Sequence, residues 1–129
     1  MTAAPVGVVL VSHSPALAAG LRDLLAELGA GRVPVAIAAG TADGRLGTSA
    51  DLVARAVEAA DTGAGVVVVP DLGSAVLTAR LALADRPGAV LVDAPFVEGA
   101  VAATVTASAG AGLDEVVRAA EEARHLRKL

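Results

Sequence analysis

Hydrophobic residues fall along the chain in four short runs that are apolar almost throughout. The runs cover residues 6–11, 33–38, 65–69 and 89–92. They lack the alternation of apolar and polar residues that a strand with one solvent-facing side shows. Continuous apolar runs of this length are typical of parallel strands covered on both faces. The pattern therefore predicts four buried strands.

Segments with helical spacing separate these runs. Apolar residues recur every three or four positions over residues 17–28 and 52–60, and residues 76–83 are apolar on more than one side. After the fourth run, the spacing predicts a short helix over 97–107 and an amphipathic helix that begins near Leu113 and ends in the basic sequence RHLRKL.

The order of these elements is strand then helix, repeated four times, with one extra helix. Strands that alternate with helices predict right-handed crossovers and a doubly wound α/β fold, with helices on both faces of a parallel sheet. No linker or internal repeat interrupts the pattern, so we expect a single domain over residues 1–129.

Composition and charge narrow the classes of function. Hydrophobic residues make up 55% of the chain, yet Phe96 is its one aromatic residue, and the net charge is −4. A nucleic-acid partner is therefore not expected. The absence of cysteine excludes disulfides and thiolate catalysis. The apolar runs are too short to span a membrane, and the start of the chain lacks a secretory pattern. We expect a soluble cytoplasmic protein.

His13 and Asp71 are the candidate reactive pair. His13 follows the first apolar run and Asp71 follows the third, and ligands of open α/β sheets gather beyond the carboxyl ends of the strands. If these two strands are neighbours, about 4.8 Å apart, the two side chains can meet. A carboxylate on one ring nitrogen fixes the tautomer and leaves the other nitrogen as a nucleophile. The alternative to a reactive pair is that His13 is an ordinary loop residue and that Asp71 only stabilises a turn.

Ser14 and Ser74 lie at predicted helix starts, where free N–H groups favour an anion. Together with the His13–Asp71 pair they suggest a phosphoryl site. Neither a G-x-x-x-x-G-K-[ST] nor a G-x-G-x-x-G motif follows a strand, and two histidines with scattered acids do not suggest a transition-metal site. A histidine that takes phosphate from another carrier needs no nucleotide or metal, so we expect no cofactor.

Five segments in order resemble the mannose-type EIIA family of the bacterial phosphotransferase system. Within it, the resemblance is to the DhaM subunits of phosphoenolpyruvate-dependent dihydroxyacetone kinases. The segments are VGVVLVSHS, VAIAAG, LGTSAD, VVVVPDLGSAVLTA and APFVEGAVAATVTASAGAGLDEV. The resemblance covers essentially the whole chain and implies the family's fold, with strand order 2-1-3-4. Pro70 departs from the aliphatic residue usual in the family, which puts the backbone before Asp71 in question.

The resemblance also implies roles for residues. His13 corresponds to the phosphorylated histidine, with Nε2 as the reactive nitrogen, and Asp71 to the aspartate that supports it. Gly73 and Ser74 would help to hold the phosphoryl group. The family's other loops around the site fall near Thr48, Ser49 and Glu98, with less certain roles, and the role of Asp93 stays open.

By the same resemblance, this protein is a phosphotransferase subunit that accepts phosphate from HPr. It passes the phosphoryl group to ADP held on the kinase subunit DhaL, while a third subunit, DhaK, binds dihydroxyacetone. Relatives form homodimers, so a homodimer is expected. Two alternatives remain: a mannose-type EIIA that passes phosphate to an EIIB in sugar transport, and a non-catalytic regulatory domain with the same fold. The sequences VSHSP and DLGSA favour the kinase subunit, because sugar-transport members tend to show GTHG or GSHG and GGSP.

Overall fold

A four-stranded parallel sheet forms the centre of the computed structural model, which describes residues 4–129. The strands are β1 (Gly7–Ser12), β2 (Val35–Ala39), β3 (Val66–Pro70) and β4 (Ala89–Leu91). They lie in the order β2-β1-β3-β4. The predicted fold class and strand order are confirmed, although the strand ends differ from the predicted ones by one or two residues. The first three residues of the predicted 1–129 domain lie outside the described part of the chain.

Five α-helices and one short 3₁₀ turn surround the sheet. The helices are α1 (Pro15–Leu28), α2 (Ala50–Ala60), α3 (Gly73–Leu83), α4 (Phe96–Ser108) and α5 (Leu113–Glu122). The 3₁₀ turn covers Ala123–His125. The last helix therefore ends before the basic RHLRKL sequence, contrary to the prediction. The guanidinium of Arg124 donates a hydrogen bond to the carbonyl of Glu121 at 2.9 Å, which satisfies a terminal carbonyl where the helix tightens into the 3₁₀ turn.

The sheet separates two apolar cores. Side chains that alternate along β1 point to opposite faces, so Val8 and Leu10 join one core while Val9 and Val11 join the other. Helices α1, α4 and α5 contribute to the first core, and α2 and α3 contribute to the second. Both faces of the central strands β1 and β3 are thus fully buried, whereas the edge strands β2 and β4 are partly exposed. Burial on both faces explains why the central strands are apolar without alternation.

Gly7 allows α2 to approach the start of β1 closely. A Cβ atom added at Gly7 would lie 2.2 Å from the carbonyl oxygen of Ala60, the last residue of α2. Backbone atoms at that distance cannot move aside without shifting the helix. The absence of a side chain at Gly7 therefore sets the distance between α2 and the sheet.

Pro70 sits in a central strand without breaking a hydrogen bond of the sheet. Its neighbour Asp71 donates its N–H to Val11 of β1 at 2.9 Å. Since consecutive residues of a parallel strand bond to opposite sides, the nitrogen of Pro70 faces the β4 side. There the last strand ends at Leu91, which pairs with Val68. The last hydrogen bond between the two strands runs from the N–H of Val92 to the carbonyl of Val68 at 3.1 Å, so Pro70 comes just beyond it, and the bond from Asp71 to Val11 continues the regular pairing with β1.

None of the helices within residues 4–129 is long and apolar enough to cross a membrane.

Candidate functional site

The chain topology brings His13 and Asp71 together. His13 is the first residue after β1, and Asp71 is the first residue after β3. The two strands are neighbours, and Val11 pairs with Pro70 at their carboxyl ends. In the order β2-β1-β3-β4, the connection after β1 leads to β2 at one edge of the sheet, and the connection after β3 leads to β4 at the other edge. The His13–Asp71 pair therefore lies between the two strands from which the chain turns in opposite directions. Open α/β sheets bind their ligands at such a point.

Asp71 holds His13 through both of its carboxylate oxygens. The Nδ1 atom of His13 lies 2.9 Å from Oδ1, and the backbone N–H of His13 donates to Oδ2, also at 2.9 Å. The Asp71 side chain is 7% exposed and that of His13 is 24% exposed. The carboxylate is therefore shielded from water while one edge of the imidazole ring stays open to the solvent.

Two further donors complete the hydrogen bonding of the Asp71 carboxylate. The hydroxyl of Ser12 donates to Oδ2 at 2.9 Å, and the backbone N–H of Leu72 donates to Oδ1 at 2.7 Å. Burial raises the pKa of Asp71, but the hydrogen bonds outweigh burial, with the backbone N–H of His13 as the strongest of them. The pKa of Asp71 thus lies below its ordinary value, and the carboxylate is ionised at neutral pH.

The ionised carboxylate determines which ring nitrogen of His13 carries the proton. A carboxylate can only accept hydrogen bonds, so the Nδ1 atom that faces it must be the N–H nitrogen of the neutral ring. The other nitrogen, Nε2, then keeps its lone pair. The Ser74 hydroxyl lies 2.7 Å from Nε2 and donates to it. The arrangement leaves Nε2 as the nucleophilic atom on the exposed side of the ring.

The predicted phosphoryl-binding residues lie at the starts of two helices. Ser14 caps α1 by accepting the N–H of Leu17 at 3.2 Å. Gly73 is the first residue of α3, and Ser74 follows it. The structure thus places Ser74 in contact with His13, whereas the hydroxyl of Ser14 is engaged with its own helix.

The loop between β2 and α2 runs past the site and is tied to it. The backbone N–H of Gly47 donates to the carbonyl of His13 at 3.1 Å. The hydroxyl of Thr48 hydrogen-bonds to that of Thr78 on α3 at 2.7 Å, and the hydroxyl of Ser49 accepts the N–H of Leu52 as the N-cap of α2. Thr48 therefore joins the loop to the helix that carries Ser74, and Ser49 acts as a helix cap.

Glu98 is not brought into contact with His13 or Asp71 in the described part of the chain. It lies in the first turn of α4, where its carboxylate forms an ion pair with Lys128 at 2.6 Å. The hydrogen bond from Lys128 lowers the pKa of Glu98, and the same contact raises the pKa of Lys128. Asp93 is 91% exposed at its side chain and lies 3.5 Å from Arg124. Both acids therefore contact the carboxyl-terminal segment, and Asp93 also borders the same groove as Asp71.

Ser12 is a further member of this network, and its place after the first apolar run predicted no specific role for it. It is the last residue of β1 and is fully buried. The available signal was a hydroxyl at the end of an otherwise apolar buried strand, because a buried hydroxyl needs a hydrogen-bond partner. The sequence does not show which partner that is.

A groove of about 400 Å³ opens beside Asp71. It lies between the start of α3 and the residues after β4, and its lining includes Leu72, Val76, Arg80 and Ala94. The site is thus at the edge of an open surface that a protein partner can reach. Within residues 4–129, no group of three His, Cys, Asp or Glu side chains is arranged to hold a metal ion.

Comparisons with known proteins agree with this architecture. The family model EIIA-man, described as PTS system fructose IIA component, matches residues 7–117. The phosphoryl donor subunit DhaM of the PEP-dependent dihydroxyacetone kinase of Providencia stuartii is 39% identical over 126 residues, which are 92% of this chain and 26% of that protein. This chain thus spans about a quarter of that relative's length.

A shorter relative and a solved structure match over most of their lengths. The phosphoryl donor subunit DhaM of the PEP-dependent dihydroxyacetone kinase 2 of Listeria innocua is 36% identical over 105 residues, which are 78% of this chain and 84% of that protein. The crystal structure of the unknown-function protein EF1359 is similar with a TM-score of 0.82 and 31% identity, over 92% of this chain and 94% of that chain. Because the family model matches residues 7–117, which are most of the chain, the chain belongs to the EIIA-man family, as the resemblance in its sequence predicted.

Proposed function

We propose that this protein is a phosphohistidine carrier in which Nε2 of His13 accepts and donates a phosphoryl group. The observation that carries the proposal is the 2.9 Å contact between Nδ1 of His13 and the buried carboxylate of Asp71. It fixes the ring proton on Nδ1 and leaves a lone pair on the exposed nitrogen. The same pairing stabilises the positive charge that develops on the ring when Nε2 forms a new bond.

The proposed reaction moves one phosphoryl group in two steps, each of which forms one bond to phosphorus and breaks another. The Nε2 lone pair attacks the phosphorus atom of a phosphorylated donor protein, the bond between that phosphorus and the donor breaks, and the donor leaves with the electron pair. In the second half, an oxygen of the acceptor attacks the phosphorus and the bond to Nε2 breaks. Such transfers depend mainly on positioning and on electrostatic stabilisation.

Groups near His13 suit a bound phosphoryl group. Gly73 and Ser74 lie at the amino-terminal end of α3, whose backbone N–H groups and dipole favour an anion. Once Nε2 is bonded to phosphorus, the Ser74 hydroxyl no longer has a lone pair to donate to and turns to a phosphoryl oxygen. Ser14 contributes the corresponding end of α1.

The named relatives support dihydroxyacetone kinase subunits as partners. They are phosphoryl donor subunits of PEP-dependent dihydroxyacetone kinases. We therefore propose HPr as the donor and ADP bound on the kinase subunit DhaL as the acceptor, acting with DhaK on dihydroxyacetone in the cytoplasm. The reaction requires no metal or nucleotide bound on this chain. A homodimer is the proposed assembly.

The description of the matched family favours one second candidate. Because that family is described as a PTS system fructose IIA component, the acceptor in the second candidate is an EIIB of a sugar transporter. The chemistry at His13 is the same in both cases, so only the acceptor distinguishes them.

A reconstituted relay tests both candidates. The protein is incubated with phosphoenolpyruvate, enzyme I and HPr, and an increase of about 80 Da on His13, the mass of one added HPO₃ unit, is expected by mass spectrometry. Labelled protein is then offered either DhaL with ADP, DhaK and dihydroxyacetone, or an EIIB. Formation of dihydroxyacetone phosphate supports the first acceptor. Transfer to EIIB alone supports the second, and a chain that stays unlabelled is a regulatory domain and contradicts the proposal.

A further inference from the structure

The Ser12 hydroxyl occupies a fully buried position between two parts of the site. It donates to Oδ2 of Asp71 at 2.9 Å and accepts the backbone N–H of Ser14 at 3.1 Å. The carbonyl of Ser14 is a second, more distant acceptor at 3.2 Å. A charged acceptor forms the stronger bond, so the hydroxyl proton belongs mainly to Asp71. Ser12 thereby connects the amino-terminal end of α1 to the carboxylate.

The buried hydroxyl of Thr104 shows that burial alone does not produce such a connection. Ser12 and Thr104 are both fully buried polar side chains within residues 4–129. The Oγ1 atom of Thr104 has no hydrogen-bond partner in that part of the chain, whereas the hydroxyl of Ser12 both donates and accepts. The two residues therefore form a matched pair, one coupled to the site and the other not.

Loss of the Ser12 hydroxyl would remove one of the two donors that hold Oδ2. The backbone N–H of His13 would remain as its other donor. A carboxylate with fewer fixed donors rotates more freely about its terminal torsion, which is a broad and soft one. The contact of Oδ1 with the His13 ring would then be less strictly oriented, and the neutral ring would populate both tautomers.

We propose that Ser12 is a positioning residue, whose buried hydroxyl holds the Asp71 carboxylate in the orientation that keeps the ring proton of His13 on Nδ1. Its role in transfer rests on the proposed phosphocarrier function. Its effect on the ring tautomer does not. Ser12 touches neither the phosphoryl group nor a partner surface, and it acts only through Asp71.

The first test is a spectroscopic one on the unphosphorylated full chain. Nitrogen-15 chemical shifts of the neutral His13 ring distinguish a proton on Nδ1 from one on Nε2. We expect wild-type protein, Ser12→Thr and Thr104→Val to show the proton on Nδ1. We expect Ser12→Ala to show averaged shifts from both tautomers. Should Ser12→Ala fail to fold, Ser12→Cys replaces it, because a thiol is only a weak donor.

The second test separates positioning from binding in the transfer reaction. Ser12→Ala is expected to lower kcat for phosphoryl acceptance from phospho-HPr about tenfold, as the loss of a supporting hydrogen bond typically does. The KM for phospho-HPr should stay within about twofold, since a buried residue does not meet the donor. Because Ser12 acts through Asp71, Ser12→Ala should have little further effect in an Asp71→Asn background.

The outcomes distinguish this proposal from the proposed function. Unchanged ring shifts and unchanged kcat in the Ser12 variant overturn the positioning role. An effect of the same size in the Asp71→Asn background overturns the route through Asp71. If wild-type protein never accepts phosphate but the ring shifts of Ser12→Ala still average, the phosphocarrier function is wrong and the positioning of His13 stands.

Discussion

Asp71 binds His13 twice, once at the ring and once at the backbone. The distances from its two carboxylate oxygens to Nδ1 and to the backbone nitrogen are both 2.9 Å. The two bonds fix the ring and the chain that carries it relative to the same buried group, so little freedom remains in the orientation of the imidazole. Preorganisation of this kind lowers the cost of reaching a reactive geometry.

Replacement of His13 should abolish phosphate acceptance. We expect His13→Ala to show no 80 Da adduct in the HPr relay, because no other side chain presents a nitrogen lone pair next to Asp71 in residues 4–129. Circular dichroism should show that the fold persists, since His13 lies after β1 rather than within it. His125→Ala is the matched control, because His125 is exposed in the 3₁₀ turn, and it should be labelled normally. A labelled His13→Ala variant would reject the assignment.

Asp71→Asn should slow transfer in both directions by about 100-fold. An asparagine side chain can place an NH₂ group opposite Nδ1, which favours the tautomer with the proton on Nε2 and removes the nucleophilic lone pair. Stopped-flow or quench measurements of acceptance from phospho-HPr and of return to HPr provide the rates. Asp85→Asn, at an exposed aspartate between α3 and β4 on the opposite edge of the sheet, should leave both rates unchanged. Wild-type rates in Asp71→Asn would contradict the pairing.

Acid should weaken the fold through Asp71. The pKa of Asp71 is depressed in the folded state, so its contribution to stability is complete above the unfolded pKa of about 4 and is lost as the pH falls toward the folded pKa. Urea unfolding between pH 7 and pH 2 should therefore show a shallower loss of stability for Asp71→Asn than for wild-type protein. The control is the exposed Asp43, whose pKa is lowered mainly by a hydrogen bond from Thr41. Asp43→Asn should change the dependence of stability on pH less than Asp71→Asn does, because solvent screens an exposed group. Parallel profiles for wild type and Asp71→Asn would be the contrary result.

Thr104→Val should stabilise the protein. The substitution removes a buried hydroxyl that has no partner within residues 4–129 while nearly keeping the side-chain shape. An unsatisfied buried group costs about 1–3 kcal/mol, so a gain of about 1 kcal/mol in the free energy of unfolding is expected. Chemical denaturation with an unchanged m-value would report it. A loss of stability would mean that the hydroxyl has a favourable partner.

Gly7→Ala should destabilise the protein by about 3 kcal/mol, because the added methyl group would overlap the carbonyl of Ala60 and force α2 away from the sheet. Gly20→Ala provides the opposite case. Gly20 is exposed within α1 with nothing near its Cβ position, and an alanine there should gain about 0.5–1 kcal/mol. The same denaturation measurement checks both, and equal effects of the two substitutions would refute the close approach at Gly7.

Residue patterns were sufficient for the fold class, because the hydrophobic periodicity reflects which faces are buried, whereas the strand order was implied only by the family resemblance. The fully apolar run before His13 predicted a strand covered on both sides, and β1 is buried at all of its residues. Helix starts were also predictable where a cap is chemically specific, as at Ser14. The last helix was predicted too long, because its end depends on contacts of Arg124 with Glu121 and Asp93 that span different elements.

What the sequence alone determined was local: which segments form strands and helices, and that a histidine and an aspartate come directly after two of the strands. Only the tertiary structure decided which side chains meet, because hydrogen bonds between residues distant in the chain depend on the order and register of the strands. It joined Ser12 to Asp71 across 59 positions of sequence and Thr48 to Thr78 across 30, and it turned Glu98 toward Lys128 instead of His13.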